Sequence, residues 1–259
     1  MSFVLSLEHI TAIKAHALAE YPNEACGLIV DGEYMPCVNM ATDPTKDFVI
    51  PAALQVTLRG LGKTIQMVIH SHPGGPRFPT ATDMRSQIDS GVPWGLVATD
   101  GEIVSPVETW GFRDVPCPII GREFMHGIRD CYSLVRDVYR LGKYRLADQG
   151  IQWPLESISI PDFAREDNWW GDARRPGETL YIDNFEKQGF VRIPLSEAKP
   201  GDGFLMKIRS QTLNHAGVLC SDGMILHHLP QRLSRREPAA IWGRAADVWV
   251  RYEGKSSAS

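Results

Sequence analysis

Residues 65–72, IQMVIHSH, form an apolar run that ends in two histidines one residue apart. The turn-rich PGGPRFPT follows, and then Asp83 three residues on. Apolar residues at both parities of the run call for a strand covered on both faces, so the chain must pack other elements on each side of it. His70 and His72 alternate by two and therefore project from the same face. Either the segment beyond is an ordinary surface turn, or it returns Asp83 to the strand end as a third ligand.

The flanking sequence supplies the covering elements. Leu7, Ile10, Ile13, Ala17 and Leu18 recur at helical spacing, which predicts an amphipathic helix over residues 6–21 stopped near Pro22. ACGLIVDG reads as a strand entering a turn, and IPAALQVTLRGL as a helix with Pro51 near its first turn. TATDMRSQIDSG opens on capping-type residues and predicts a helix ending at Gly91, and WGLVATDG and IVSPVETWGF complete a strand-rich half. RDVPCPIIG, with two prolines within three residues, marks a linker, assigned to 114–121. The pattern restarts at Arg122, where Leu134, Val135, Val138 and Leu141 share one helical face. An irregular stretch rich in Trp, Pro, Asp and Arg covers about 145–195, a length at which loops are usually functional or decorated with short elements of their own. PGDGFLMKI, NHAGVLCSDG, MILHHLP and ADVWVRY then read as short strands, and residues 254–259 as a disordered tail. The domain expectation is 1–113 and 122–253.

Bulk properties narrow the class. At 259 residues, with 43% hydrophobic and 22% charged content, the chain has apolar mass for two cores. A net charge of −4 and no dominant basic face exclude nucleic acid as a main partner. Five scattered cysteines (Cys26, Cys37, Cys117, Cys131, Cys220), with no C-x-x-C pair, point to reduced thiols and a cytosolic site of synthesis. The first twenty residues lack the charged-then-apolar pattern of a secretion signal, and no run approaches the roughly 18 apolar residues of a membrane span.

A zinc hydrolase needs three protein ligands, an open position and a carboxylate to move protons. H-x-H alone is a weak signal, because most such pairs are ordinary histidines. The combination is stronger: His70, His72, seven positions from Pro73 to Pro79, the hydroxyl of Thr80, two more residues and Asp83, with Glu24 at the head of a Cys-Gly-Leu strand. This set resembles the JAMM metalloprotease signature over roughly residues 1–113. The resemblance implies that His70, His72 and Asp83 hold one Zn2+ and that Glu24 is the general acid/base. It implies for Thr80, which stands where the family usually has Ser, the hydroxyl that supports the transition state. Ser71 reads as strand filler.

The second half holds a candidate nucleophile. Asp130 is a good helix N-cap, so Cys131 falls in the first turn, where unpaired N–H groups and the helix dipole favour a thiolate. His215 and His227 lie on consecutive predicted strands joined by the SDG turn, and adjacent antiparallel strands can bring such rings side by side. Most buried cysteines are inert, which is the reading for Cys26, Cys37, Cys117 and Cys220. DCYSLV, KPGDGFL, NHAGVL and MILHHLP, in this order, resemble the NlpC-type cysteine peptidases over about 122–253, with 145–195 as an unmatched insertion. The resemblance implies Cys131 as nucleophile, His215 as its base and His227 as the residue orienting that base. His228 competes for the third place; its neighbour's spacing from His215 fits the family better. Tyr132 and Ser133 depart from the family's Ser-Gly. NWW at 168–170 serves either to stack on a glycan or to anchor its loop, and Arg232, Arg235 and Arg236 in QRLSRRE read as a solvated turn.

The two resemblances in one chain are those of the tail tip assembly protein K family of lambda-like phages. They imply an α+β chain of two domains. The first is a JAMM/MPN-type mixed sheet flanked by helices, the second a papain-like fold with a nucleophile helix on an antiparallel sheet. They also imply a bifunctional hydrolase: a thiol endopeptidase cutting the D-γ-glutamyl–diamino acid bond of peptidoglycan stem peptides, and a zinc peptidase or isopeptidase. Its partners would be wall peptides and other tail tip proteins, and its places the host cytoplasm, the virion tail tip and the periplasm on entry. The alternative is an assembly factor whose clefts mainly dock partners.

Overall fold

In the computed structural model, residues 3–115, 118–167, 169–170, 180–181 and 184–254 are described; Cys117, Asn168 and the tail from 255 lie outside them. The chain is α+β and divides into two compact units, Met1–Asp114 and Val115–Ser259.

The first unit runs α1 (Leu7–Glu20), β1 (Cys26–Val30), β2 (Glu33–Cys37), α2 (Ala52–Gly60), β3 (Ile65–Pro73), α3 (Ala81–Ser90), β4 (Trp94–Thr99) and β5 (Glu108–Trp110). Its mixed sheet has the order β2-β1-β3-β4-β5, with β3 and β4 parallel and the other pairs antiparallel. A parallel pair needs a crossover, and α3 is part of it. Residues 67–72 of β3 are buried on both faces, as the apolar run requires. Ile13 and Ala17 of α1 pack with Ile29, Met67, Ile69 and Val97 to form the core on one side. Helix α1 starts at Ser6, which closes a capping box with His9 in the place usually held by Glu.

The second unit runs α4 (Cys131–Ala147), β6 (Phe190–Ile193), β7 (Gly203–Met206), β8 (His215–Leu219), β9 (Met224–His227), β10 (Arg235–Pro238), α5 (Ala239–Trp242) and β11 (Val248–Tyr252). All neighbours in the sheet β10-β9-β8-β7-β11-β6 are antiparallel. Leu134, Val138 and Leu141 of α4 share a core with Leu205, Ala216, Val218 and Leu226 of the sheet.

Three features refine the sequence reading. Strand β6 lies inside the stretch read as irregular, and β10 forms from part of the segment read as a solvated turn. Both are four-residue strands at the sheet's edges, too short to show alternation. Arg235 and Arg236 are accordingly paired, with Glu237 and Asp222. Helix α4 kinks at Gly142 (φ 65°, ψ 179°), where a Cβ would sit 2.4 Å from the Ser157 nitrogen. Only glycine allows residues 156–157 to pass there.

Candidate active sites

The first site stands at the end of β3. His70 and His72 share a face, and their Nε2 atoms lie 3.2 Å apart. Asp83, in the first turn of α3, places Oδ1 3.5 Å from His70 Nε2 and Oδ2 3.3 Å from His72 Nε2. His72 Nδ1 donates to the Pro76 carbonyl at 2.9 Å, which leaves Nε2 as its lone-pair nitrogen. Three Lewis bases therefore face one another, with ligand atoms within 4.8 Å, and among the described residues no Lys or Arg is paired with Asp83. A proton or a cation between them relieves the repulsion, and two imidazoles with a carboxylate form a donor set suited to zinc. Phe48 stacks on His70 at 4.8 Å between ring centroids.

Glu24 precedes β1 and shares with His72, Thr80 and Asp83 a cavity of about 420 Å³. It is 6% exposed, and burial raises its pKa to about 7, with the charge of Asp83 adding to the effect and that of His72 opposing it. A carboxyl poised there can both take and return a proton near neutrality. Thr80 caps α3: its Oγ1 donates to Asp83 Oδ2 at 2.7 Å and accepts from the Asp83 N–H at 3.1 Å. That hydroxyl proton is held by Asp83, so the transition-state role expected of Thr80 would require it to leave this bond.

The second site surrounds a cavity of about 680 Å³ lined by Cys131, His215, Tyr181, Trp169, Trp242 and Arg165, among others. Asp130 caps α4 by accepting from the Ser133 N–H at 2.9 Å, which puts Cys131 at the first helical position. His215 Nε2 lies 3.1 Å from His227 Nδ1. The register explains the pairing: Gly217 of β8 opposes His227 of β9, so His215, two residues along, shares that face. His228 turns elsewhere; its Nε2 meets the Arg232 carbonyl at 3.1 Å and its ring packs edge-on against Phe124.

Burial works against the thiolate expected at the helix N-terminus. Burial and then the charge of Asp130 push the Cys131 thiol up to about 11, against smaller opposing effects from the Tyr181 hydroxyl and the Ala216 N–H. Burial, then His227 and His228, bring His215 down to about 3. Both influences favour a neutral thiol and a neutral imidazole at rest.

Comparison with known proteins follows the same division. The family profile for prokaryotic homologs of the JAB domain matches residues 6–112, and that of the NlpC/P60 family matches residues 121–248. Tail tip assembly protein K of Escherichia phage lambda is 41% identical over 198 residues, covering 76% of this chain and 82% of that protein. The chain belongs to the tail tip assembly protein K family. Its namesake in Escherichia phage N15 is 29% identical over 94% of each chain. A solution structure of a protein from Desulfitobacterium hafniense aligns with 40% of this chain and 87% of that one, at 24% identity and a TM-score of 0.34.

Within this family framework, several residues around the sites escaped the sequence reading. Ser71 is more than strand filler: its Oγ accepts the Ala25 N–H at 2.8 Å while its own N–H donates to the Ala25 carbonyl at 2.9 Å, fixing the backbone next to Glu24. Arg165, from the unmatched insertion, donates through Nε to Asp130 at 2.9 Å and through Nη2 to Ser133 Oγ at 3.1 Å. Tyr181, from the same stretch, places its hydroxyl 3.1 Å from Cys131 Sγ. Trp169 and Trp170 of NWW line the same cavity, whereas Asn168 lies outside the described residues. Arg165 and Tyr181 belong to no periodic pattern, and their partners Asp130 and Cys131 lie tens of residues away, whereas NWW stands out in the sequence by composition alone.

Proposed function

We propose that this chain is a tail-tip protein with two hydrolytic sites, acting on peptidoglycan stem peptides through Cys131 and on an amide or isopeptide bond through the His70–His72–Asp83 centre. The observation that carries the reading is the shared cavity of Cys131, at the head of α4, and His215, backed by His227. In the thiol reaction Cys131 Sγ attacks the D-γ-glutamyl carbonyl as its proton passes to the ring nitrogen of His215 not engaged by His227. The Cys131 N–H, at a position with no intrahelical partner, stabilises the oxyanion. His215 returns the proton to the departing amine of the diamino acid, leaving a thioester. Water, deprotonated by His215, then releases the carboxylic acid and restores the thiol. Because thiol and imidazole start neutral, proton transfer accompanies attack.

In the first site His70, His72 and Asp83 would hold one zinc ion, whose chemistry when bound is to polarise the scissile carbonyl and acidify water. Glu24 takes the proton of the attacking water and passes it to the leaving amine, which its raised pKa of about 7 suits. Thr80 holds Asp83 in place, and Ser71 steadies the chain beside Glu24.

The relatives' name supports a place among tail tip proteins, and a docking role for the clefts is the rival reading. Digestion of purified muropeptides, with products identified by mass, separates the two. The intact chain is expected to cut the D-γ-glutamyl bond and Cys131→Ala to leave it whole. Full rescue of tail assembly by both Cys131→Ala and His70→Ala, with no cleavage by the intact chain, would favour docking.

A further inference from the structure

We propose that Glu237 is a positioning residue of the Cys131 site, setting through His227 which nitrogen of His215 carries the proton. The inference rests, for its kinetic consequence, on the thiol-peptidase reading. Three adjacent strands carry the row: His215 on β8, His227 on β9 and Glu237 on β10. In register, Arg235 opposes His227 and Glu237 opposes Ile225, so Glu237 is the diagonal neighbour of His227 on one face of the sheet. Glu237 Oε2 lies 3.3 Å from His227 Nε2, a buried nitrogen that makes no hydrogen bond of good geometry among the described residues, so this carboxylate is the acceptor within its reach. On the other side, His227 Nδ1 lies 3.1 Å from His215 Nε2.

The proton positions follow in order. A carboxylate only accepts, so it favours the His227 tautomer that carries its proton on Nε2; the other would aim a lone pair at a negative oxygen. Nδ1 of His227 is then an acceptor, and His215 Nε2 must be the donor. The lone pair of His215 is thereby left on Nδ1, the ring nitrogen not committed to His227, and His215 lines the same cavity as Cys131. Without Glu237, the proton between the two rings has no preferred owner. A His215 that carried its proton on Nδ1 would present a donor, not a base, to the nucleophile. The other groups around His227 do not supply this bias. Arg235 is paired with Glu237 itself, Arg232 is cationic, and Trp242, at 4.4 Å between ring centroids, is apolar cover.

The test uses the full chain labelled with 15N-histidine, with long-range proton–nitrogen spectra at pH 8 assigned through single histidine substitutions. The expected result is Nε2–H on both His215 and His227. In Glu237→Ala either ring gains a detectable Nδ1–H population. Glu237→Gln, which keeps an acceptor oxygen, retains the original tautomers. With a muropeptide substrate, Glu237→Ala should lose about tenfold or more in kcat at unchanged KM, and Glu237→Gln should recover part of that. An Nδ1–H on His227 in the unaltered protein overturns the proposal. So do tautomers and kcat that Glu237→Ala leaves unchanged. If Glu237→Ala does not fold, the spectra of the unaltered protein and of Glu237→Gln still decide. If the unaltered protein cuts no wall peptide, the thiol-peptidase reading falls, while the tautomers judge Glu237 independently.

Discussion

Cys131 is where two local influences meet with opposite sign. The first turn of α4 and the Ala216 N–H favour a thiolate, but burial and the anionic cap Asp130 outweigh them and hold the thiol up at about 11. An aspartate that starts the helix well thus works against an ionised thiol next to it, and Arg165 partly cancels that charge. At pH 7 a thiol of this kind is ionised in only about one molecule in ten thousand. Alkylation of Cys131 by iodoacetamide, followed by peptide mapping, should therefore accelerate roughly tenfold per pH unit between pH 7 and 9, with no plateau. A rate already level at pH 7 would mean a stable thiolate, and the concerted proton transfer inferred for the wall-peptide reaction would have to be abandoned.

Strand register decides more of the second site than any single side chain. Gly217 faces His227 across β8 and β9, and a Cβ there would come within 2.5 Å of the Phe204 ring and 2.9 Å of His227 Cβ. Gly217→Ala should cost about 1–3 kcal/mol in urea unfolding and lower peptide cleavage by displacing His227. Unchanged stability together with unchanged cleavage would show that the two strands do not hold the rings this tightly. The same register accounts for what the sequence leaves open. On β3 the histidines stand two apart, so their common face is legible without a structure, as are the Thr80 and Asp130 caps. On β9 apolar residues occupy both faces, so alternation cannot choose between His227 and His228; pairing with β8 makes the choice. Edge strands β6 and β10 bury too little to write a pattern. Arg165 and Tyr181 act from an irregular stretch at separations of 35 and 50 residues, where no local spacing could announce them.

At the scale of the whole chain, the two clusters lie on different sheets, in different compact units, and share no residue. Changes to one donor set should therefore leave the chemistry of the other intact. Metal content separates them most directly. The full chain, equilibrated with zinc and dialysed, should retain about one ion, and its melting temperature should rise with the logarithm of the free zinc concentration above the Kd. Asp83→Asn is the informative variant. Its amide oxygen can still accept from Thr80, so the cap of α3 survives while the anionic ligand is lost. It should bind zinc much more weakly, yet cut wall peptide like the unaltered chain; Cys131→Ala should do the reverse. Loss of wall-peptide cleavage in Asp83→Asn would tie the two reactions together. Undiminished zinc binding in the same variant would remove Asp83 from the ligand set, and with it the reason for two imidazoles and a carboxylate to face one another at the end of a buried strand.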